Sequence, residues 1–151
     1  MNPLIEFQPT VHQSLPFHLI LPEHFMPAAL HWMEVSRNRQ SDIVANPSVP
    51  SFSNTLVELE FASRELDIVS SCFYNLNSAE TNAEIQSIAR ELSPLLTEFS
   101  NETVLNESLF LKIKMVWDHR AEENLTSEQL RLLQETYEGY VRNGALLQGK
   151  D

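Results

Sequence analysis

Apolar residues recur at intervals of three and four along most of this chain, the spacing that puts them on one buried face of an α-helix. The longest series is Leu56, Leu59, Ala62, Leu66, Val69, Phe73 and Leu76, with a second row, Val57, Phe61, Ile68 and Cys72, beside it. The two rows predict one long, central helix whose apolar face is too wide for a single neighbour. Ser51 stands where an N-cap hydroxyl accepts from a free backbone N–H. Upstream, Met26, Ala29, Met33, Arg37, Gln40 and Val44 follow at helical spacing. That first helix opens at Pro22, tolerates Pro27 in its first turn and stops before Asn46-Pro47.

Beyond the polar turn Asn77–Asn82, a third helix carries Ile85, Ile88, Leu92, Leu95, Leu96 and Phe99. Pro94 lies inside it, removes one ladder hydrogen bond and predicts a kink or a break. A fourth helix, roughly Glu107 to Arg120, turns Leu109, Ile113, Val116 and Trp117 inward. The fifth starts with a capping-box pair, Thr126 and Gln129, flanked by Leu125 and Leu130 at the hydrophobic-staple positions. Leu133, Tyr137 and Val141 form its stripe, and Gly144 suits the left-handed residue that ends a helix. No alternating run of β-branched residues competes with these patterns. The expected fold is all-α: a bundle of about five helices with short loops, residues 22–147, in a single domain spanning 1–151. Residues 1–21 read as an extended arm pinned by Leu4, Phe7, Phe17 and Ile20.

Charge narrows the partners. Twenty-one acidic residues against ten basic ones give a formal net charge of −11, spread along the chain. Such a surface repels phosphates and anionic lipid, so neither nucleic acid nor membrane is an expected partner. The apolar runs are a few residues long and fall far short of a membrane span. One cysteine, Cys72, cannot form an internal bridge. The first residues show no basic region followed by an apolar core, and the expected compartment is the cytoplasm; a periplasmic one stays open where a leader has been removed upstream.

Candidate chemistry is thin. His24 and His31 share a helix face, yet two turns separate their backbones by about 10.5 Å, too far for one zinc ion. His119 and Glu123 have metal-ligand spacing but lie at a fraying helix end without further ligands. Cys72 sits on an apolar stripe with no basic neighbour and reads as an inert thiol. Trp32 and Trp117 lie beside helical stripes and read as packing residues. Asn101, Asn106 and Asn124 open glycosylation tripeptides, of which Asn106 and Thr126 are better explained as helix caps. Glu122 and Glu123 read as exposed charge. No catalytic and no metal-binding residue is assigned, and substrate-binding residues stay unassigned.

A known pattern does emerge from longer stretches. PEHFMPAALHWM (Pro22 to Met33), Asn46-Pro47 with Phe52 and Asn54-Thr55-Leu56, LDIVSSCFYNLNSAETNAEIQ (Leu66 to Gln86), Leu132-Leu133 and TYEGYVRNGALL (Thr136 to Leu147) follow in order. Together they resemble the N-terminal helical region of the zinc metallopeptidases grouped with thimet oligopeptidase and oligopeptidase A. The turn Asn77–Gln86 leans toward the peptidyl-dipeptidase branch, whose members release C-terminal dipeptides from short peptides. The resemblance implies a non-catalytic lobe that walls a narrow substrate channel, with the C-terminal catalytic portion of the same polypeptide as its partner. It implies zinc only for the full-length parent: H-E-x-x-H, the family's zinc motif, occurs nowhere in these 151 residues. The expectation is that this chain alone hydrolyses nothing. The alternative is a freestanding acidic helical module that binds a protein partner without catalysis.

Overall fold

In the computed structural model, which describes residues 1–6 and 14–144, every regular element is helical. Short 3-10 turns, Phe17–Leu19 and Pro22–His24, lead into α1, Phe25–Ala45. A π-helical turn, Phe52–Val57, precedes α2, Glu58–Ala62, and α3, Arg64–Ala79. Then follow α4, Ala83–Val104; α5, Glu107–Asp118; and α6, Ser127–Arg142. The all-α expectation holds, with the expected second helix divided.

The division falls at Ser63, whose backbone angles of φ −108° and ψ 8° lie outside the helical region. Partners distant in sequence account for it. The Arg39 guanidinium donates to the carbonyl oxygens of Phe61 and Ala62 at 3.1 and 3.3 Å, satisfying acceptors at the end of α2. The Ser63 hydroxyl meets that of Ser36 at 2.8 Å. The first expected row is turned inward on either side of the division: Leu56, Ala62, Leu66, Val69 and Phe73 are buried, and Leu59 and Leu76 half-buried. Of the expected second row Cys72 is buried, but Phe61 is 53% and Ile68 36% exposed. The face is narrower than the sequence pattern implied.

The chain groups into two compact units. The first combines Met1–Ser36 with Ser63–Thr97. Its core includes Leu4, Phe25, Ala28, Ala29, Met33, Leu66, Val69, Phe73 and Leu92. Phe25 and Phe73 meet edge to face with centroids 5.2 Å apart. The N-terminal residues are tied to α1: Asn2 Nδ2 donates to the carbonyl of His24 (2.9 Å), and Trp32 Nε1 to that of Leu4 (2.7 Å). Leu4 is an anchor as expected, fully buried, and Ile20 is half-buried; Phe17 is 60% exposed and anchors nothing. Phe7 lies outside the described residues.

The second unit combines Arg37–Ala62 with the residues from Glu98 on. Ile43, Leu109, Phe110, Ile113 and Tyr140 form one buried cluster, and Phe52, Leu56, Val116 and Leu133 another. Polar stripe positions find polar partners here. Gln40 Nε2 donates to Thr103 Oγ1 at 3.1 Å, while Arg37 pairs with Glu102 at 2.9 Å and covers the Phe99 ring.

Helix ends follow local chemistry. Ser51 Oγ accepts from the Asn54 N–H, and Asn54 Oδ1 accepts from the Ser51 N–H in return. Asn106 caps α5 through the Leu109 N–H, and Thr126 and Gln129 form the expected reciprocal pair at α6. Gly144 takes φ 92° after the last turn, a left-handed conformation open to glycine. The expected helical residues 145–147 lie outside those described. Pro94 does not break α4, which is continuous through it. Pro94 and Arg90, the residue whose carbonyl loses its ladder donor, are both exposed, so water can reach that side of the helix.

Candidate functional site

The residues with chemical potential are drawn into capping and packing. His24 lies in the 3-10 turn ahead of α1, where its Nδ1 accepts from the Leu21 N–H at 3.0 Å. His31 is exposed and meets Trp32 edge to face at 4.8 Å. His18 is exposed, and His12 lies outside the described residues.

His119 and Glu123 do not come together. His119 Nδ1 faces Glu122 Oε1 at 3.1 Å, an exposed pair. The half-buried Glu123 carboxylate turns the other way and accepts from the Phe52 N–H at 3.0 and 3.1 Å. Its negative charge thus sits against the free N–H groups that begin the π-helical turn, where it is favoured. The expectation of two exposed carboxylates holds for Glu122 and fails for Glu123. That contact joins positions 71 apart, and nothing in the local pattern announces it.

Cys72 is buried, and burial raises its thiol pKa, so it is less nucleophilic than an ordinary cysteine. Trp117 is a packing residue, as expected, and part of an aromatic column. It stacks on Tyr137 at 4.9 Å and 6°, and Phe110 lies 5.8 Å from Tyr137 and 6.1 Å from Tyr140. Arg120 closes the column, its Cζ 3.9 Å from the Trp117 ring and its Nη1 donating to the Trp117 carbonyl.

The polar turn that carries the most specific resemblance is also a capping device. Asn82 Oδ1 accepts from the Ile85 N–H at 2.9 Å and starts α4; Thr81 Oγ1 donates to Asn77 Oδ1 at 3.3 Å. The asparagine before Ala-Glu-Ile was a readable start signal. Among the described residues, no three His, Cys, Asp or Glu side chains assemble as a metal-binding group. No described helix is long and apolar enough to cross a membrane.

This is an all-α chain whose relatives are bacterial peptidases, and it is homologous to their N-terminal region. It is 32% identical over 151 residues to the dipeptidyl carboxypeptidase of Escherichia coli K12 and 33% identical over 150 residues to that of Salmonella typhimurium. With oligopeptidase A of Escherichia coli it shares 28% identity over 109 residues, 72% of this chain and 15% of that protein. All or nearly all of this chain matches the two dipeptidyl carboxypeptidases, but it spans only 22% of the length of either. No family model matches it.

Proposed function

We propose that this chain is the non-catalytic N-terminal portion of a zinc-dependent peptidase that releases C-terminal dipeptides from short peptides. One observation carries the reading: the alignment with dipeptidyl carboxypeptidase runs the whole length of this chain yet takes up 22% of the relative. The residues here do not fit a zinc site, since H-E-x-x-H is missing from the sequence and the described donors do not converge. No step of metal chemistry therefore falls to this chain. Its part is to wall the substrate channel and help restrict it to short, unfolded peptides. The working compartment is the cytoplasm, where Cys72 stays a buried thiol.

The test begins with the gene. Its reading frame beyond Asp151 should encode H-E-x-x-H on a chain several times longer. The full product should release dipeptides in a zinc-dependent manner, and the 151-residue chain alone should release none. A frame that ends near Asp151, with a folded product that captures a protein partner and cleaves no peptide, overturns the proposal in favour of an interaction module.

A further inference from the structure

Asn143 is the one asparagine of eleven in this chain that precedes a glycine. A side chain on the following residue shields that residue's peptide nitrogen; Gly144 has none, so its nitrogen lies open to the Asn143 carboxamide. Asn2 and Asn46 precede prolines, whose nitrogen has no proton to give up. Asn54, Asn82 and Asn106 are tied down at helix starts, where their Oδ1 atoms accept from the N–H groups of Ser51, Ile85 and Leu109. Asn143 is exposed just past the end of α6, with φ −84° and ψ 9°. Bringing the Gly144 nitrogen to Asn143 Cγ requires rotation about the Asn143 Cα–C bond, away from that ψ. Four hydrogen bonds oppose the rotation. The Asn143 N–H donates to the carbonyls of Gly139 and Tyr140, the Gly144 N–H to that of Val141, and Asn143 Nδ2 to that of Gly139 at 2.8 Å. All four belong to the final turn of one helix, and two of them end on Gly139, a poor helix former. Helix ends open at little cost in free energy, and Gly144, at φ 92°, has wide conformational freedom once released.

We propose that Asn143-Gly144 is a site of spontaneous covalent modification, deamidation through a cyclic imide, gated by the last turn of α6. The Gly144 nitrogen loses its proton to solvent base and forms a bond to Asn143 Cγ. The Cγ–Nδ2 bond breaks, and Nδ2 leaves as ammonia with a proton taken up from solvent. Water then opens the imide ring. Attack at Cγ leaves aspartate; attack at the main-chain carbonyl leaves isoaspartate, with the chain routed through the side chain. No oxidant or reductant takes part. Either product loses the Nδ2 donor to Gly139 and places a carboxylate at the negative end of the helix dipole, so the turn that held the site loosens further. The inference stands apart from the peptidase reading, because it uses residues 139–144 alone.

Incubating the full gene product at mildly alkaline pH tests this, with peptides from residues 1–151 mapped by mass and isoaspartate distinguished by electron-transfer fragmentation. Asn143 should convert ahead of the other asparagines of this stretch, with isoaspartate among its products. Gly139→Ala puts a methyl group where nothing lies within 4 Å and strengthens the last turn. It should slow conversion by about three- to fivefold in the folded protein and leave it unchanged in urea. Asn143→Gln, which must close a larger ring and reacts more slowly, should remove the early product. An Asn143 that keeps its amide while other asparagines of this stretch convert overturns the proposal. Aspartate without isoaspartate overturns the cyclic route, and equal rates for wild type and Gly139→Ala in the folded state overturn the gate.

Discussion

The Tyr140 hydroxyl is buried beside Ile43, Leu109, Phe110 and Ile113 and meets no hydrogen-bond partner among the described residues. A buried, unpaired hydroxyl costs about 1–3 kcal/mol, so deleting the oxygen removes a penalty and no bond. Tyr140→Phe keeps the ring against Phe110 and should unfold at an equal or higher urea concentration at pH 7. The same burial pushes the phenol pKa above its ordinary value of 10.0. In the folded chain the proton is therefore held to higher pH than in the unfolded chain. Stability is therefore unaffected by this group below the unfolded pKa and falls as pH rises above about 10, by up to about 1.4 kcal/mol per unit. Urea titrations from pH 8 to 11 should show wild type losing stability more steeply than Tyr140→Phe; parallel slopes would rule this account out. Burial acts on Cys72 in the same direction and holds its thiol protonated to higher pH.

At the scale of elements, Pro94 is the clearest test. A helix-interior proline forfeits one hydrogen bond and crowds the carbonyl four residues back, at a cost of about 3 kcal/mol in a regular helix. Helix α4 nevertheless runs from Ala83 to Val104, held by buried Ile85, Leu92 and Phe99. Pro94→Ala should restore a donor to the Arg90 carbonyl and stabilise the chain by about 1–3 kcal/mol, which raises Tm by about 2–4 °C per kcal/mol at this size. A melting temperature equal to or below wild type would mean that the neighbouring structure depends on the proline's shape. Where elements begin and end was largely legible, because Ser51, Asn106, Thr126 and Gly144 act through residues within a few positions of themselves. The stripe of α1 was read one position off its centre. Phe25, Ala28, Ser36 and Ile43 are buried beside the expected Ala29, Met33 and Gln40, since Arg37 and Gln40 reach polar partners on α4. The break at Ser63 was illegible for a different reason: it depends on Arg39 and Ser36, more than twenty positions away.

For the whole molecule, kinship with the peptidases was legible only as similarity of long stretches in order; the candidate chemistry dissolved into caps and packing once Glu123 reached Phe52 and His119 reached Glu122. What the composition does dictate is a response to salt. Excess acidic charge, −11 in all, repels itself more in the compact state than in the unfolded one. Screening should relieve that repulsion, since the Debye length falls from about 30 Å at 0.01 M to about 8 Å at 0.15 M. The same salt weakens exposed ion pairs such as Arg37–Glu102 and Arg131–Glu135, but such pairs contribute little to begin with. With twenty-one acidic residues and ten basic ones, relief of repulsion should win. Sodium chloride at 0.15 M should therefore raise the thermal midpoint at pH 7.5 by about 2–4 °C, on the order of 1 kcal/mol. Toward the isoelectric point near 4.8 the carboxylates take up protons and the gain should shrink. A midpoint that falls with salt at pH 7.5 would mean that the ion pairs outweigh the net charge in holding the fold.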